Sequence, residues 1–216
     1  MRLVVIGGGE HARVVIEAAR SRPDLWEVSG FLDLQSNSET ERRLGVPRLG
    51  SDQEGRELSA GGNVVFVLGL AALDSRDARV KLTNAYDSEG ARWATIVHAS
   101  AWVSPSVDVG EGVFVSAGAL VNSGARIERH AVINTGAIIE HDVVIEEFSQ
   151  VSPGAVIGGG ARVGRNAYVG LGARIRDHVE IGEGAVVGMG AVVVASVPKE
   201  VVVVGHPARK QESGRR

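Results

Sequence analysis

Residues 101–196 read AWVSPS VDVGEG VFVSAG ALVNSG ARIERH AVINTG AIIEHD VVIEEF SQVSPG AVIGGG ARVGRN AYVGLG ARIRDH VEIGEG AVVGMG AVVVAS, which is sixteen groups of six without an insertion. The third residue of every hexad is Val or Ile. The first is Ala or Val except at Ser149, and the sixth is often Gly. A six-residue period of this kind is typical of a parallel β-helix.

Each hexad predicts one short strand and one turn, so that three hexads complete a triangular coil of about eighteen residues. The third-position Val or Ile points into the coil, where β-branched side chains fit the pleated surface. The small first-position residue also points inward, and Gly supplies turn conformations that other residues avoid. A set of antiparallel hairpins would instead need alternation with period two and paired turn signals. We therefore expect a left-handed parallel β-helix over residues 98–200.

Residues 1–97 follow a different pattern, in which strands and helices alternate. This order predicts a small Rossmann-like α/β domain with a parallel sheet. The predicted strands are 2–6, 28–33, 46–49, 63–69 and 93–97, and the predicted helices are 10–20 and 75–89. Residues 201–216 are expected to form a C-terminal tail with basic residues at its end.

Composition narrows the class of protein. The 216 residues carry a formal net charge of −3, which argues against non-specific binding of nucleic acid. The absence of Cys excludes disulfides, thiolate metal sites and a Cys nucleophile. No signal peptide and no run of about twenty apolar residues is recognisable, so we expect a cytoplasmic protein without a membrane span.

A glycine-rich turn lies in VVIGGGEHARVV, residues 4–15, between a predicted strand and a predicted helix. Glycines let a ligand approach the backbone, and a helix N-terminus favours phosphate. Because Ala12 stands where G-x-G-x-x-G has its last Gly and the domain is short, a mononucleotide or nucleotide-sugar site is favoured over NAD. A turn with purely structural glycines remains the alternative. The candidate substrate-binding residues are Gly8, Gly9, Glu10, His11, Asp33 and Leu34.

Two of these candidates have specific expected roles. Asp33 ends the second predicted strand, where a dinucleotide fold often places an acid on a ribose hydroxyl. His11 contacts a phosphate or ribose, or else caps the turn.

His141 is the candidate catalytic residue. It lies in the hexad AIIEHD between Glu140 and Asp142. An imidazole held by a carboxylate is the usual equipment of a general base, because the carboxylate fixes the tautomer and raises the basicity. The alternative is a surface His in an acidic turn.

The coil period gives His141 a neighbour. Residues eighteen apart stack on adjacent coils, so His141 lies beside Gly159 in the run Gly158–Gly160. Backbone N–H groups of that side-chain-free patch are suited to face a substrate oxygen. By the same period Asn134 stacks with Ser116 and Ser152.

The other coil histidines, His130 and His178, occupy the sixth position of their hexads. We expect both to be solvated corner residues. Zinc held by His130, His141 and His178 between subunits is the competing use. The β-helical carbonic anhydrases place two ligands five residues apart, and no such pair occurs here, so no metal is predicted.

The chain resembles the PglD/NeuD-like sugar acyltransferases, which are left-handed β-helix enzymes with a small N-terminal α/β domain. The resemblance spans nearly the whole chain. It is carried by VVIGGGEHARVV, by GFLD at 30–33, by INTGAIIEHDVVIEEFSQVSPGAVIGGGARVG at 133–164 and by VGHPAR at 204–209.

The resemblance implies an acetyl-CoA-dependent N-acetyltransferase that acts on the 4-amino group of a nucleotide-linked sugar, GDP-perosamine ahead of a UDP-4-amino sugar, in O-antigen or lipopolysaccharide biosynthesis. His141 matches the general base and Asp142 the carboxylate that raises its basicity. Asn134 matches a residue near the reacting amine, and Gly159 matches a backbone donor to the thioester carbonyl.

The resemblance also implies a homotrimer with acetyl-CoA between subunits. The expected cofactor contacts are Gln150, Gly159, Leu171, Gly188 and Met189. Two positions depart from the family pattern, since Gln150 stands where some members have His and Leu34 where a second Asp is common. O-acetylation of a sialic-acid-like sugar and a non-catalytic scaffold that binds a nucleotide sugar are the alternatives.

Overall fold

The computed structural model describes residues 1–35 and 39–211. The chain divides into two units, Met1–Ala99 and Ser100–Arg216. The first unit contains four helices around a parallel sheet, and the second consists of short strands stacked in coils.

The N-terminal sheet has the strand order β3-β2-β1-β4, and all of its pairs are parallel. Its strands are β1 (Arg2–Ile6), β2 (Glu27–Leu32), β3 (Arg48–Gly50) and β4 (Val65–Leu68), and a two-residue strand, β5 (Ile96–Val97), ends the unit. The helices are α1 (Glu10–Arg20), α2 (Glu39–Leu44), α3 (Asp52–Ala60) and α4 (Arg76–Asp87), the last preceded by a 3-10 turn at Leu73–Ser75.

Helix α1 forms where the sequence predicts it. Its apolar residues recur at helical spacing, so that Ala12, Val15, Ile16 and Ala19 are buried together on one face. Gly9 is the N-cap and offers no side-chain cap. The first backbone N–H groups of α1 therefore lack a side-chain partner from the capping residue.

Helices α2 and α3 are absent from the sequence-based prediction. Only Gly55 and Ser59 of α3 are buried, so the helix has no apolar periodicity to detect. Its start is instead fixed by a capping box between Ser51 and Glu54, in which the Ser51 N–H donates to the Glu54 carboxylate at 2.8 Å. The predicted strand 93–97 was too long, because Trp93 makes only an isolated bridge with Phe66 before β5.

The second unit is the predicted left-handed β-helix. Sixteen two-residue strands follow one another between Trp102 and Val193, one for each hexad. From Trp102–Val103 to Arg174–Ile175, each strand pairs in parallel with the strand eighteen residues later, as Ile138 pairs with Val156. The third-position residues are buried except Val103 and Val109, which are half-buried. The first-position alanines are buried except Ala101, which is half-buried.

The coils present three faces, which are named here by their strands. The first face comprises Trp102–Val103, Leu120–Val121, Ile138–Ile139, Val156–Ile157, Arg174–Ile175 and Val192–Val193. The second comprises Asp108–Val109, Arg126–Ile127, Val144–Ile145, Arg162–Val163 and Glu180–Ile181. The third includes Phe114–Val115, Val132–Ile133, Gln150–Val151, Tyr168–Val169, Val186–Val187 and Val202–Val204.

Each face ends in a corner, and from residue 112 to residue 190 the sixth-position residue at every corner has a positive φ. The first corner, after the first face, has Gly124, Asp142, Gly160 and His178 at this position. The second corner has Gly112, His130, Phe148, Asn166 and Gly184. The third corner uses glycine alone, at Gly118, Gly136, Gly154, Gly172 and Gly190. Only the third corner is therefore free of side chains at this position.

His130 does not have the solvated position that its hexad predicts. The imidazole is 1% exposed and stacks on Phe148 with ring centroids 5.1 Å apart. Gly112 on the preceding coil leaves the space that the ring fills, since a Cβ there would collide with the imidazole. His178, at the first corner, is exposed as predicted.

The predicted C-terminal tail contains two strands among its described residues. Val202–Val204 (β22) pairs in parallel with Val186–Val187, and Arg209–Lys210 (β23) pairs antiparallel with β22. Among the described residues, no helix has both the length and the apolar character needed to cross a membrane.

Candidate active site

The first corner carries a His–Asp pair. The Nδ1 atom of His141 lies 3.0 Å from Oδ2 of Asp142, within hydrogen-bond distance. Because Asp142 accepts, this bond places a proton on Nδ1 and leaves Nε2 with its lone pair in the neutral ring. The His141 side chain is 60% exposed, so Nε2 is accessible to a second molecule.

Asp142 is held in position by the turn. It adopts a left-handed conformation with a φ of 58°, and its N–H donates to the Ser123 carbonyl at 3.0 Å. Gly124, on the preceding coil, lies under the carboxylate, and a Cβ there would collide with Oδ1. The chain therefore keeps this space clear so that Asp142 can turn toward His141.

Gly159 lies under the imidazole of His141, on the next coil. A Cβ at Gly159 would be 2.6 Å from Nε2 and 2.7 Å from Cε1, closer than real Cβ contacts. The backbone fixes the two residues together, because the Gly160 N–H donates to the His141 carbonyl at 2.9 Å. Within the described part of the chain, the Gly159 N–H has no hydrogen-bond acceptor. A backbone N–H without an acceptor, beside an imidazole, is suited to stabilise an oxyanion.

The charges around His141 favour the protonated ring. The hydrogen bond to Asp142 raises the pKa of His141 above its ordinary value, and the negative charges of Asp142 and Glu140 add to this effect. The imidazole is thereby made more basic. A proton taken up by His141 is stabilised by the carboxylate at the moment when it is transferred.

Asn134 lies at the third corner, at the opposite end of the first-face strand Ile138–Ile139. Its Oδ1 accepts from the Thr135 N–H at 2.8 Å. Seven residues of largely extended chain separate Asn134 from His141, which corresponds to roughly 15–20 Å. One chain therefore does not bring these two predicted catalytic residues together.

The predicted cofactor contacts are likewise divided between the first and the third corner. Leu171 and Met189 are exposed at the third corner, and Gly188 lies beside Met189 with its N–H on the Val203 carbonyl at 2.8 Å. Gly159 lies at the first corner. Gln150 points outward from the third face but is buried. The structure groups Leu171, Gly188 and Met189 with Asn134, and Gly159 with His141.

The glycine-rich turn at the end of β1 uses its three glycines differently. Gly7 has a φ of 104°, which favours glycine. Gly8 donates its N–H to Oδ2 of Asp33 at 2.8 Å, and a Cβ at Gly8 would be 2.6 Å from both that oxygen and the Phe31 ring. Gly9 has an extended backbone, and a Cβ there would meet no atom within 4 Å.

Asp33 has a structural role that the sequence does not predict. Besides Gly8, its carboxylate accepts from the Gln35 N–H through Oδ1 at 2.9 Å. Asp33 therefore ties the end of β2 to the glycine turn. A carboxylate has about four lone-pair sites, so further acceptor capacity remains for a ligand hydroxyl.

His11 lies in the first turn of α1, next to Glu10, which is exposed. Burial lowers the pKa of His11 to about 4, and the positive charge of Arg79 acts in the same direction. The ring is therefore neutral near pH 7. Leu34 follows Asp33 and is 79% exposed.

Arg79 is a buried residue that sequence reasoning missed. Its side chain is fully buried in α4, and burial lowers its pKa to about 10. The available signal was its spacing, since Arg79, Thr83 and Tyr86 are the buried residues of α4 and recur at helical intervals. Across the described residues, no cluster of three or more His, Cys, Asp or Glu side chains is arranged to hold a metal ion.

Comparison with family models gives one match. The PglD N-terminal domain matches residues 2–82. Comparison with curated protein sequences gives no match.

Several solved structures share the whole architecture. A variant of perosamine N-acetyltransferase from Caulobacter crescentus, in complex with CoA and GDP-perosamine, is 34% identical and has a TM-score of 0.90, with 99% of this chain and 98% of that chain covered. The acetyltransferase domain of PglB from Neisseria gonorrhoeae, in complex with acetyl coenzyme A, is 30% identical with a TM-score of 0.89, covering 97% and 98%. WeeI from Acinetobacter baumannii is 27% identical with a TM-score of 0.86, covering 98% and 100%.

Proposed function

Because the chain belongs to the PglD-like family of sugar N-acyltransferases, we propose that it transfers the acetyl group of acetyl-CoA to the 4-amino group of a nucleotide-linked sugar. The observation that carries the proposal is the His141–Asp142 pair above the free N–H of Gly159. It combines a base with an oxyanion donor at one corner, which is what direct acyl transfer to an amine requires.

In the proposed mechanism, His141 Nε2 removes a proton from the amine as the amine attacks the thioester carbonyl. The carbonyl oxygen becomes an oxyanion that accepts from the Gly159 N–H, and the thiolate of CoA leaves as the tetrahedral intermediate collapses. Asp142 keeps the Nδ1–H tautomer and stabilises the imidazolium. His141 then returns its proton to the departing sulfur. No covalent enzyme intermediate is needed.

The similar structures support a ranking of the candidate acceptor sugars. The Caulobacter enzyme is described in complex with GDP-perosamine, and its identity to this chain extends over nearly the whole length. GDP-perosamine is therefore the first candidate and a UDP-linked 4-amino sugar the second. The Gly7–Gly9 turn at the N-terminus of α1 is the proposed site of the phosphates.

The active form is proposed to be a homotrimer, and the difference between two faces of the β-helix supports it. The outward residues of the first face are mostly apolar, and Trp102 is 50% exposed. The outward residues of the second face are mainly charged, and Arg162 pairs there with Glu146. An exposed apolar strip beside a charged one is typical of a protein–protein interface.

The division of the site between two corners supports the same assembly. If the first face points toward a threefold axis, the first corner of one chain meets the third corner of the next. His141 and Gly159 of one chain would then face Asn134, Leu171 and Met189 of its neighbour. In this arrangement the 60% exposed His141 is covered, and acetyl-CoA lies in the groove between the chains.

A complementation experiment tests this arrangement. His141→Ala and Asn134→Ala are each expected to be nearly inactive. Mixed trimers from co-expression should recover about a quarter of the wild-type activity. About half of the sites receive an intact His141 from one chain, and about half of those receive an intact Asn134 from the neighbouring chain. If both residues of a site came from one chain, every site would carry one lesion and no activity would return.

The activity itself is tested by release of the CoA thiol. Full-length protein is incubated with acetyl-CoA and a panel of GDP-, UDP- and dTDP-linked 4-amino sugars. The mass of the product is measured by mass spectrometry before and after treatment with mild base. We expect thiol release with at least one amino sugar and a base-stable acetyl amide. A base-labile ester, or no thiol release with any member of the panel, would contradict the proposal.

A further inference from the structure

The strand order of the N-terminal sheet indicates how a bound nucleotide would be oriented along the sheet edge. In the order β3-β2-β1-β4, strands β2 and β3 lie on one side of β1 and β4 lies on the other, so the strand order reverses at β1, where the glycine turn begins. Ligands of such sheets bind at the carboxyl ends of the strands beside this switch point. With the phosphates at the start of α1 and a ribose near Asp33, the base extends beyond β2 toward β3.

Arg48, the first residue of β3, lies in that direction. It pairs with Phe31 of β2, and its Nε donates to the backbone carbonyl of Asp33 at 2.8 Å. The guanidinium is thereby anchored at the end of β2. No other hydrogen bond or ion pair of Arg48 is found within residues 1–35 and 39–211, so its terminal Nη groups remain available.

The carboxylate of Glu54, which lies near Arg48, is engaged in hydrogen bonds with Ser51. Glu54 accepts from the Ser51 N–H at 2.8 Å and from the Ser51 hydroxyl at 2.5 Å in the capping box of α3. These bonds lower the pKa of Glu54 to about 2, so it is charged and affects Arg48 only through its field. The position next to Asp33 is taken by Leu34, which is 79% exposed and offers an apolar surface.

This combination of groups matches one base better than the others. Guanine presents two adjacent acceptors, O6 and N7, which a guanidinium binds with paired N–H donors. Adenine replaces O6 with an amino donor, and a pyrimidine lacks N7. An acidic residue at position 34 would compete for the guanidinium, whereas Leu34 leaves it free and adds an apolar contact for the ring.

We propose that Arg48 selects guanine, so that the nucleotide part of the substrate is GDP rather than UDP or dTDP. This inference rests on the proposed nucleotide-sugar function for the location of the base, and it goes beyond that function by naming the residue that reads the base.

The test is equilibrium binding of GDP, 7-deaza-GDP and UDP to full-length protein by calorimetry, without acetyl-CoA. The wild type should prefer GDP over 7-deaza-GDP by about tenfold, because removal of N7 takes away one of the two acceptors. In Arg48→Met the preference should disappear, because GDP weakens to the level of 7-deaza-GDP while UDP is unchanged. Arg56→Met, which removes an exposed arginine of α3, is the control and should behave as the wild type.

Other outcomes overturn the inference. Equal binding of GDP and 7-deaza-GDP to the wild type, or no binding of GDP, would remove the proposed contact. An equal loss of GDP and UDP affinity in Arg48→Met would assign Arg48 to the phosphates or to folding. Because acetyl-CoA is omitted, this result is independent of thiol release. Thiol release with UDP-linked sugars alone would sustain the acetyltransferase while overturning guanine selection.

Discussion

The first corner of the β-helix and the glycine turn of the N-terminal unit both depend on glycine, but the turn also contains a glycine of a second kind. At the first corner, the space of a Cβ at Gly159 is already occupied by the imidazole of His141. In the turn, the space of a Cβ at Gly8 is similarly occupied by Asp33 and Phe31, whereas a Cβ at Gly9 would enter open space. A glycine whose space the chain itself fills is needed to build the site, and a glycine with open space above it is available to a ligand.

The largest effect is expected from His141→Ala, which empties the space above Gly159. Loss of a general base typically costs about 10²–10⁴-fold in rate. Because the side chain is 60% exposed and lies outside the β-helix core, the fold should persist. The measurement is kcat for thiol release, together with the circular dichroism spectrum.

The matched control for this variant is His178→Ala, which removes an exposed histidine from the same corner two coils further along the β-helix. It should keep wild-type kcat. A His141→Ala variant that turns over normally would show that the base lies elsewhere.

The next effect is expected from Gly159→Ala. The added methyl group would push the His141 ring away from its position, and a displacement of about 1 Å can cost roughly 10²-fold in rate. If Gly159 acts on the reaction only through this position, the double variant with His141→Ala should be no slower than His141→Ala alone. Additive losses in this double-mutant cycle would mean that the methyl group blocks the substrate directly.

The sequence predicts the first corner better than the glycine turn, and the reason is physical. Sixteen uninterrupted hexads fix which residues stack, so the contact between His141 and Gly159 follows from an interval of eighteen residues. No period relates Gly8 to Asp33, because their contact depends on how β1 and β2 pair. The helices α2 and α3 were missed for a related reason, since their few buried residues leave no apolar pattern.

Stacking alone also misjudges what surrounds a residue. His130 and His178 occupy the same hexad position, yet the first is buried against Phe148 and the second is exposed. The difference comes from the residues on neighbouring coils, Gly112 and Phe148 for His130. The sequence-based prediction also grouped Asn134 with His141 as catalytic residues. Their spacing of seven residues nevertheless places them on successive corners of the coil.

A smaller effect is expected from Asp142→Asn. The hydrogen bond that His141 donates to the Asp142 carboxylate is the main reason that the pKa of His141 is raised, so replacing the carboxylate with a neutral amide lowers that pKa toward the ordinary value. His141 then stays neutral to lower pH, and the acid limb of the kcat/KM profile should move to lower pH. The plateau should fall roughly tenfold, because a weaker base removes the proton less well.

The control for the pH profile is Asp177→Asn, which changes an exposed acid at the same corner two coils further on and should leave the acid limb in place. An acid limb that moved to higher pH in Asp142→Asn, or did not move at all, would assign the limb to another group.

The smallest effect on rate is expected from Gly9→Ala, and it separates the two kinds of glycine. Gly9 has an extended backbone that any residue adopts, and its Cβ would meet no atom within 4 Å. The remaining cost to stability is the poorer N-cap that Ala makes, so the melting temperature should fall only slightly. If phosphates lie over this turn, the methyl group should raise KM for the nucleotide sugar by about tenfold and leave kcat unchanged, as expected for lost binding that is uniform along the reaction.

Gly8→Ala provides the contrast within the same turn. Its Cβ would collide with Asp33 and Phe31, so the variant should lose roughly 1–3 kcal/mol of folding stability, measured by thermal unfolding. An unchanged KM in Gly9→Ala would place the phosphates away from the turn. A Gly8→Ala variant as stable as the wild type would show that Asp33 and Phe31 move away freely, so that the space at Gly8 is not filled as firmly as the space at Gly159.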